Sequence, residues 1–124
     1  MPEAKAWPKA GWILTILASG MFLMSATFKI MAPPMVIDNL GHLGWQQSQL
    51  GLLAALEIAC VVLYLVPPLS VFGAIILTGF LGGAMATHIR VGEAVYMHVV
   101  LGLFIWIGLI LREPRLRSLL PVRK

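Results

Sequence analysis

Cysteine is nearly absent from this sequence: Cys60 is the only one in 124 residues. A lone cysteine excludes an internal disulfide, a CxxC redox pair and a cysteine-ligated iron–sulfur cluster. Its apolar surroundings make it a small buried hydrophobe. Charge is scarce too. Charged residues make up 11% of the chain, against roughly 25% in soluble domains. The sequence also lacks a phosphate-cradling glycine loop, a nucleophile elbow and an HExxH motif. No reaction is therefore named by a motif, and if the chain serves redox chemistry it does so as an accessory subunit. The three histidines and Glu57 have no tight ligand spacing, so no metal site is assigned. Haem between His88 and His98 and a nucleophilic Lys29 have no better support.

Apolar side chains are abundant, at 60% of the chain, where soluble proteins hold roughly 45–50%. A soluble core of this size cannot hide that much apolar surface, because small domains keep much of their surface in water. A bilayer accepts it. The formal net charge of +4 does not point to nucleic acid, since the charges sit at the ends of apolar runs and form no polar face.

Four runs approach the ~20 apolar residues that a membrane helix needs: residues 11–31, 49–66, 70–88 and 94–111. Pro33 and Pro34 end the first, and Pro67 and Pro68 end the second. Ser70 is placed to cap the third. Gly92, between Arg90 and Glu93, makes the last turn. The first run is long for a secretory signal and lacks a small-x-small cleavage site, so it is read as a retained span.

The expected fold is a single all-α transmembrane domain, a four-helix antiparallel bundle with short connections. Lys5, Lys9, Arg112, Arg115, Arg117, Arg123 and Lys124 fall on one side, and only Lys29 and Arg90 on the other. Positive charge marks the cytoplasm, so both termini are expected there. Trp7, Trp12 and Trp106 then lie near the inner interface and Trp45 near the outer one. The loop 32–48 has a proline start and a glycine end and predicts a short helix on the outer interface. The basic tail 112–124, with Arg alternating with Leu over 114–120, suits an anionic inner leaflet. The setting is the cytoplasmic membrane of a bacterium or archaeon, and the lipid bilayer is the first partner.

Small residues set how membrane helices pack. Gly51, Ala55 and Ala59 recur every four residues, and Gly79, Gly83 and Ala86 line one face of the third span. These stripes are expected to be packing seams, within the bundle or between copies in a homo-oligomer.

Charge at membrane depth is costly and usually functional. Lys29 lies near the outer end of the first span, and Glu57 about 12 Å into the second. His88 and Arg90 close the third span, and His98 opens the fourth. Asp38 and His42 lie in the outer loop. All of these converge on the outer half. Glu57 cannot snorkel from its depth, so it is protonated or paired with Lys29 or Arg90. Lys29, Glu57, His88, Arg90 and His98 are the candidate ligand-binding residues. Lys29 and Arg90 also have a plain role as residues that snorkel to the interface.

The segments Ser25-Ala-Thr-Phe-Lys29 before Pro-Pro, Leu40-Gly-His-Leu-Gly44, Gly51-Leu-Leu-Ala-Ala-Leu-Glu57 and Gly82-Gly-Ala-Met-Ala-Thr-His88-Ile-Arg90 together resemble the DoxX-like family of small four-helix membrane proteins. The resemblance runs from about Gly11 to Leu120. Ala26 stands where the family pattern has a glycine. The family takes its name from a subunit linked to thiosulfate and quinone oxidation, and other relatives look like partners in membrane oxidoreductase complexes or assembly factors. The resemblance implies a membrane protein that binds a quinone-like ligand in the outer half, with a membrane or redox protein as partner. Two other readings stand beside it. One is a proton-coupled transporter of small molecules or lipids. The other is an assembly module without chemistry.

Overall fold

The computed structural model describes residues 8–119, and within them every regular element is helical. α1 runs Pro8–Met31, α2 Pro34–His42, α3 Leu50–Leu65, α4 Ser70–Arg90 and α5 Tyr96–Arg112. The four long helices fall on the four expected apolar runs. The ends of the predicted runs move by at most three residues, as helix ends commonly do. A 3₁₀ turn, Pro114–Leu119, follows α5. The expectations for Lys5, Trp7, Arg123 and Lys124 lie outside the described residues.

Local chemistry accounts for the boundaries. α1 stops at Met31 because Pro33 and Pro34 have no N–H to continue it, and Ala32 turns the chain at φ 49°. Pro34 then occupies the first turn of α2, where a missing N–H costs nothing. α3 ends before Pro67 and Pro68. Between α4 and α5 the chain reverses at Gly92, whose φ of +81° suits a residue without Cβ.

α1 packs on α3 and α5, α3 on α4, and α4 on α5, which closes a four-membered ring. Each neighbour is antiparallel. Thr15 meets Tyr64 while Lys29 meets Glu57 across α1 and α3. Gly11 meets Arg112 across α1 and α5. Thr78 meets Trp106 while His88 meets His98 across α4 and α5. α2 and the α4–α5 turn therefore share one end of the bundle, the loop end. The start of α1 and the close of α5 share the other, the terminal end.

The two halves are filled differently. Ala18, Phe22, Val61, Tyr64, Leu77, Ile105 and Leu109 form a closed core through the middle and terminal half. The outward faces carry exposed Ile13, Ile16, Leu52, Phe72, Ile75, Leu103 and Ile107. An apolar exterior around a smaller core is what a bundle presents to lipid. By length and composition three helical stretches, Pro8–Met31, Gln47–Leu65 and Pro67–Arg90, are able to cross a membrane, and Tyr96–Arg112 is a shorter apolar helix.

Tight glycine contacts occur at places the small-residue stripes do not mark. A Cβ on Gly11 would come within 2.6 Å of the Gly108 carbonyl, and one on Gly73 would collide with the Tyr64 backbone. Gly51, Gly79, Gly82 and Gly83 have nothing within 4 Å of where a Cβ would stand. The predicted stripes are not seams within the bundle: Gly51, Ala55 and Ala59 face outward, and Gly79 and Gly83 border a cavity.

Candidate functional site

The loop half of the bundle holds a cavity of about 770 Å³. Its floor is the closed core, at Phe22 and Leu81. Its walls come from α1, α3, α4 and α5, and its roof from α2 and the following turn through Val36, Asn39, Leu40, Leu43 and Trp45. Most of the lining is apolar. The polar exceptions include Ser25, Lys29, Glu57, Thr87, His88 and His98.

Lys29 and Glu57 form its charged wall. Ser25 and Lys29 are four residues apart on α1 and so share a face. The Lys29 ammonium donates to Ser25 Oγ at 2.6 Å and to Glu57 Oε1 at 2.9 Å. Ser25 Oγ donates to the same Oε1 at 3.4 Å. Glu57 is 3% exposed and the Lys29 side chain 11%, so the pair is shielded from solvent and each charge depends on the other. Lys29 Nζ also lies 6.0 Å from the Phe80 ring centre. Both bonds to Glu57 use Oε1. Among the described residues Oε2 and the third ammonium proton have no assigned partner, and these groups belong to residues that line the cavity.

The histidines form a second polar wall. The His88 and His98 ring centres are 4.5 Å apart. His88 Nδ1 lies 2.8 Å from the Ala84 carbonyl. A carbonyl only accepts, so Nδ1 carries the proton, and Nε2 is left to face Glu93 Oε1 at 3.8 Å. His42 Nε2 approaches the other Glu93 oxygen at 3.7 Å, joining α2 to the α4–α5 turn. His98 Nδ1 is buried with no hydrogen-bond partner. The His98 residue borders the cavity, while this nitrogen itself is enclosed.

Of the five residues singled out from sequence, Lys29, Glu57, His88 and His98 line this cavity. Arg90 does not. Its guanidinium donates to the Leu43 carbonyl at 2.5 Å and so secures the roof. Gly44, at φ +99°, makes room for it: a Cβ there would sit 2.6 Å from the Arg90 nitrogen. Of the two partners left open for Glu57, the structure selects Lys29. Among the described residues no group of three or more His, Cys, Asp or Glu is placed to hold a metal ion.

The terminal half contains a polar network that the sequence reading missed. Arg112 Nε donates to Thr15 Oγ1 at 3.0 Å. Tyr64 OH donates to the Ile105 carbonyl at 2.6 Å, so the 3.3 Å contact between Thr15 and Tyr64 has Thr15 as donor. Ser70 does not cap α4. Its hydroxyl turns back to the carbonyls of Tyr64 at 2.8 Å and Val66 at 3.2 Å. Arg112 also donates to Ser70 Oγ and to the Tyr64 carbonyl, and it lies 4.2 Å from the Trp12 ring centre. The signal was in the sequence. Helical carbonyls at Leu63 and Tyr64 would take N–H groups from residues 67 and 68, and both are prolines. A donor from elsewhere was required.

The cavity is chemically suited to hold one polar, oxygen-bearing head among apolar groups. Lys29 offers a cation, Glu57 an acceptor and His98 an imidazole ring. A sequence model described as the DoxX-like family matches residues 13–109. No curated protein and no solved structure matches the chain.

Proposed function

The chain belongs to the DoxX-like family, and from that premise we propose that it binds a small amphipathic, quinone-like molecule in the loop-end cavity as an accessory subunit of a membrane redox complex. One observation carries the reading: an apolar cavity of about 770 Å³ has a buried Lys29–Glu57 ion pair in its wall. Burying such a pair is expensive, and a hydrophobic pair would serve packing as well. Its position on a cavity rather than in the closed core favours use by a ligand.

Lys29 would hold a carbonyl or phenolate oxygen of the head. Glu57 and His98 would exchange protons with it, with the His88 ring tilted against His98. Arg90 would act at one remove, by keeping the roof in place. A quinone would supply the redox chemistry when bound. These residues supply binding, orientation and exclusion of water. The membrane arrangement proposed with this reading has four spans, both termini in the cytoplasm and the cavity in the outer half. The host is a bacterial or archaeal inner membrane, with α2 at its outer interface.

Purification in mild detergent, followed by extraction and mass spectrometry of retained small molecules, tests the reading. A stoichiometric quinone that is lost on Lys29→Ala or Glu57→Gln is expected. A protein that retains bulk lipid alone, and that binds no added quinone, overturns it.

A further inference from the structure

α3 and α4 touch at backbone distance where Gly73 meets Tyr64. Ten residues along α4, about 15 Å at the α-helical rise, Gly83 has nothing within 4 Å of a Cβ position, and neither has Gly79. Leu56 on α3 and Gly79 and Gly83 on α4 all border the cavity, and all three are exposed. The cavity reaches the side of the bundle at these three residues, and the two on α4 carry no side chain to close it. Met24 and Phe28 on α1 also border the cavity and are exposed, but these positions carry large side chains and the two α4 glycines carry none. The polar groups lie on other surfaces: Lys29 on α1, Glu57 on the α1-facing side of α3, and His98 on α5. A molecule that fits this division has a hydrogen-bonding head inside and an apolar extension passing through the gap.

We infer that the ligand is a chain-bearing, lipid-dissolved molecule that enters sideways from the acyl layer, and that its chain leaves the bundle between α3 and α4 over Gly79 and Gly83. This deepens the proposed ligand-binding reading and rests on it. The two glycines are then specificity-determining positions: they admit the chain and touch no part of the head. A leucine at position 83 closes the gap without strain, because its Cβ meets no neighbouring atom. Gly82 is equally open but does not border the cavity, so Gly82→Leu is the matched control on the same helix.

The test uses the full chain in lipid nanodiscs and two probes. One is a dimethoxy-methyl-benzoquinone with a ten-carbon chain, and the other is the same ring without the chain. Binding is followed by quenching of tryptophan fluorescence, with the Trp45→Phe protein as reference because Trp45 lines the cavity. Gly83→Leu is expected to weaken the chain-bearing compound by about tenfold or more, as a blocked pocket does. It should leave the chainless ring within about twofold of wild type. Comparing one compound across variants in one membrane removes the difference in lipid partitioning. Unchanged binding of the chain-bearing quinone to both Gly83→Leu and Gly79→Leu overturns the inference while the cavity reading stands. So does equal loss of both compounds, which would place the head and not the chain beside Gly83. Wild-type protein that binds neither compound overturns the cavity reading and this inference with it.

Discussion

Lys29 and Glu57 are held by each other, so removing one side chain differs from removing both. Glu57→Ala leaves an ammonium beside a cavity with a serine as its remaining neighbour. The expected cost is about 3–5 kcal/mol, most of it the charge left unpaired. Replacing both, Lys29→Met with Glu57→Leu, removes the unpaired charge and fills the space with apolar groups. That double variant should unfold near the wild-type midpoint in a detergent melt and still fail to retain quinone. A double variant as unstable as the single one would mean the pair is a structural tie. Arg112 presents the opposite case, an arginine whose work is structural. It reaches Thr15, Ser70 and the Tyr64 carbonyl from one planar group, a geometry that an ammonium cannot reproduce. Arg112→Lys is expected to lower stability by about 1–3 kcal/mol, measured in the same melt, with quinone retention unchanged.

Among the helices, the glycines separate those that must be glycine from those that need not be. Gly73→Ala sets a methyl against the Tyr64 backbone, which cannot rotate away. About 1–3 kcal/mol of destabilisation is expected. Gly79→Ala meets nothing and improves helix propensity by up to about 1 kcal/mol, so its melt should match or exceed wild type. Equal loss at both positions would contradict the packing described for α3 and α4. The same contrast shows what the sequence could and could not reveal. Hydropathy and the two proline pairs located the helices to within a few residues, because length and a missing N–H are local properties. The convergence of Lys29, Glu57, His88 and His98 was legible because alternating spans fix which ends come together. Close approaches were not legible. Gly73 and Gly83 look alike in sequence, and only the folded chain sets them apart: Gly73 lies against the Tyr64 backbone and Gly83 borders the cavity. Arg90 was read as a site residue for the same reason: its end of the bundle was known, but the Leu43 carbonyl that holds it was not.

At the scale of the whole molecule the four long helices are unequal. α1 and α4 have 24 and 21 residues and α3 and α5 have 16 and 17, so the first pair spans about 36 and 32 Å and the second about 24 and 26 Å. A hydrocarbon core is about 30 Å thick. By length the long pair is able to cross it with room to tilt, and in the proposed four-span arrangement the short pair would fit only where the bilayer thins or where flanking residues extend to the interface. α3 gains length from the 3₁₀ turn Gln47–Gln49. α5 begins at Tyr96, after the Gly92 turn at the loop end. The cavity lies at that end, under α2, and a thinned membrane would bring the roof to headgroup level. This geometry has a side. With basic residues gathered at the terminal end, that end should face the cytoplasm, and the roof should face out. Cys60 is 4% exposed and should stay silent toward a maleimide, so the natural chain is its own blank. A cysteine at the exposed position Asp38 on α2 should label in intact cells with a membrane-impermeant maleimide. One at Leu119, which is 78% exposed, should label only after permeabilisation. The reverse pattern would invert the bundle and put the cavity in the cytoplasmic leaflet. Labelling of both in intact cells would break the pairing of the termini and with it the four-span arrangement.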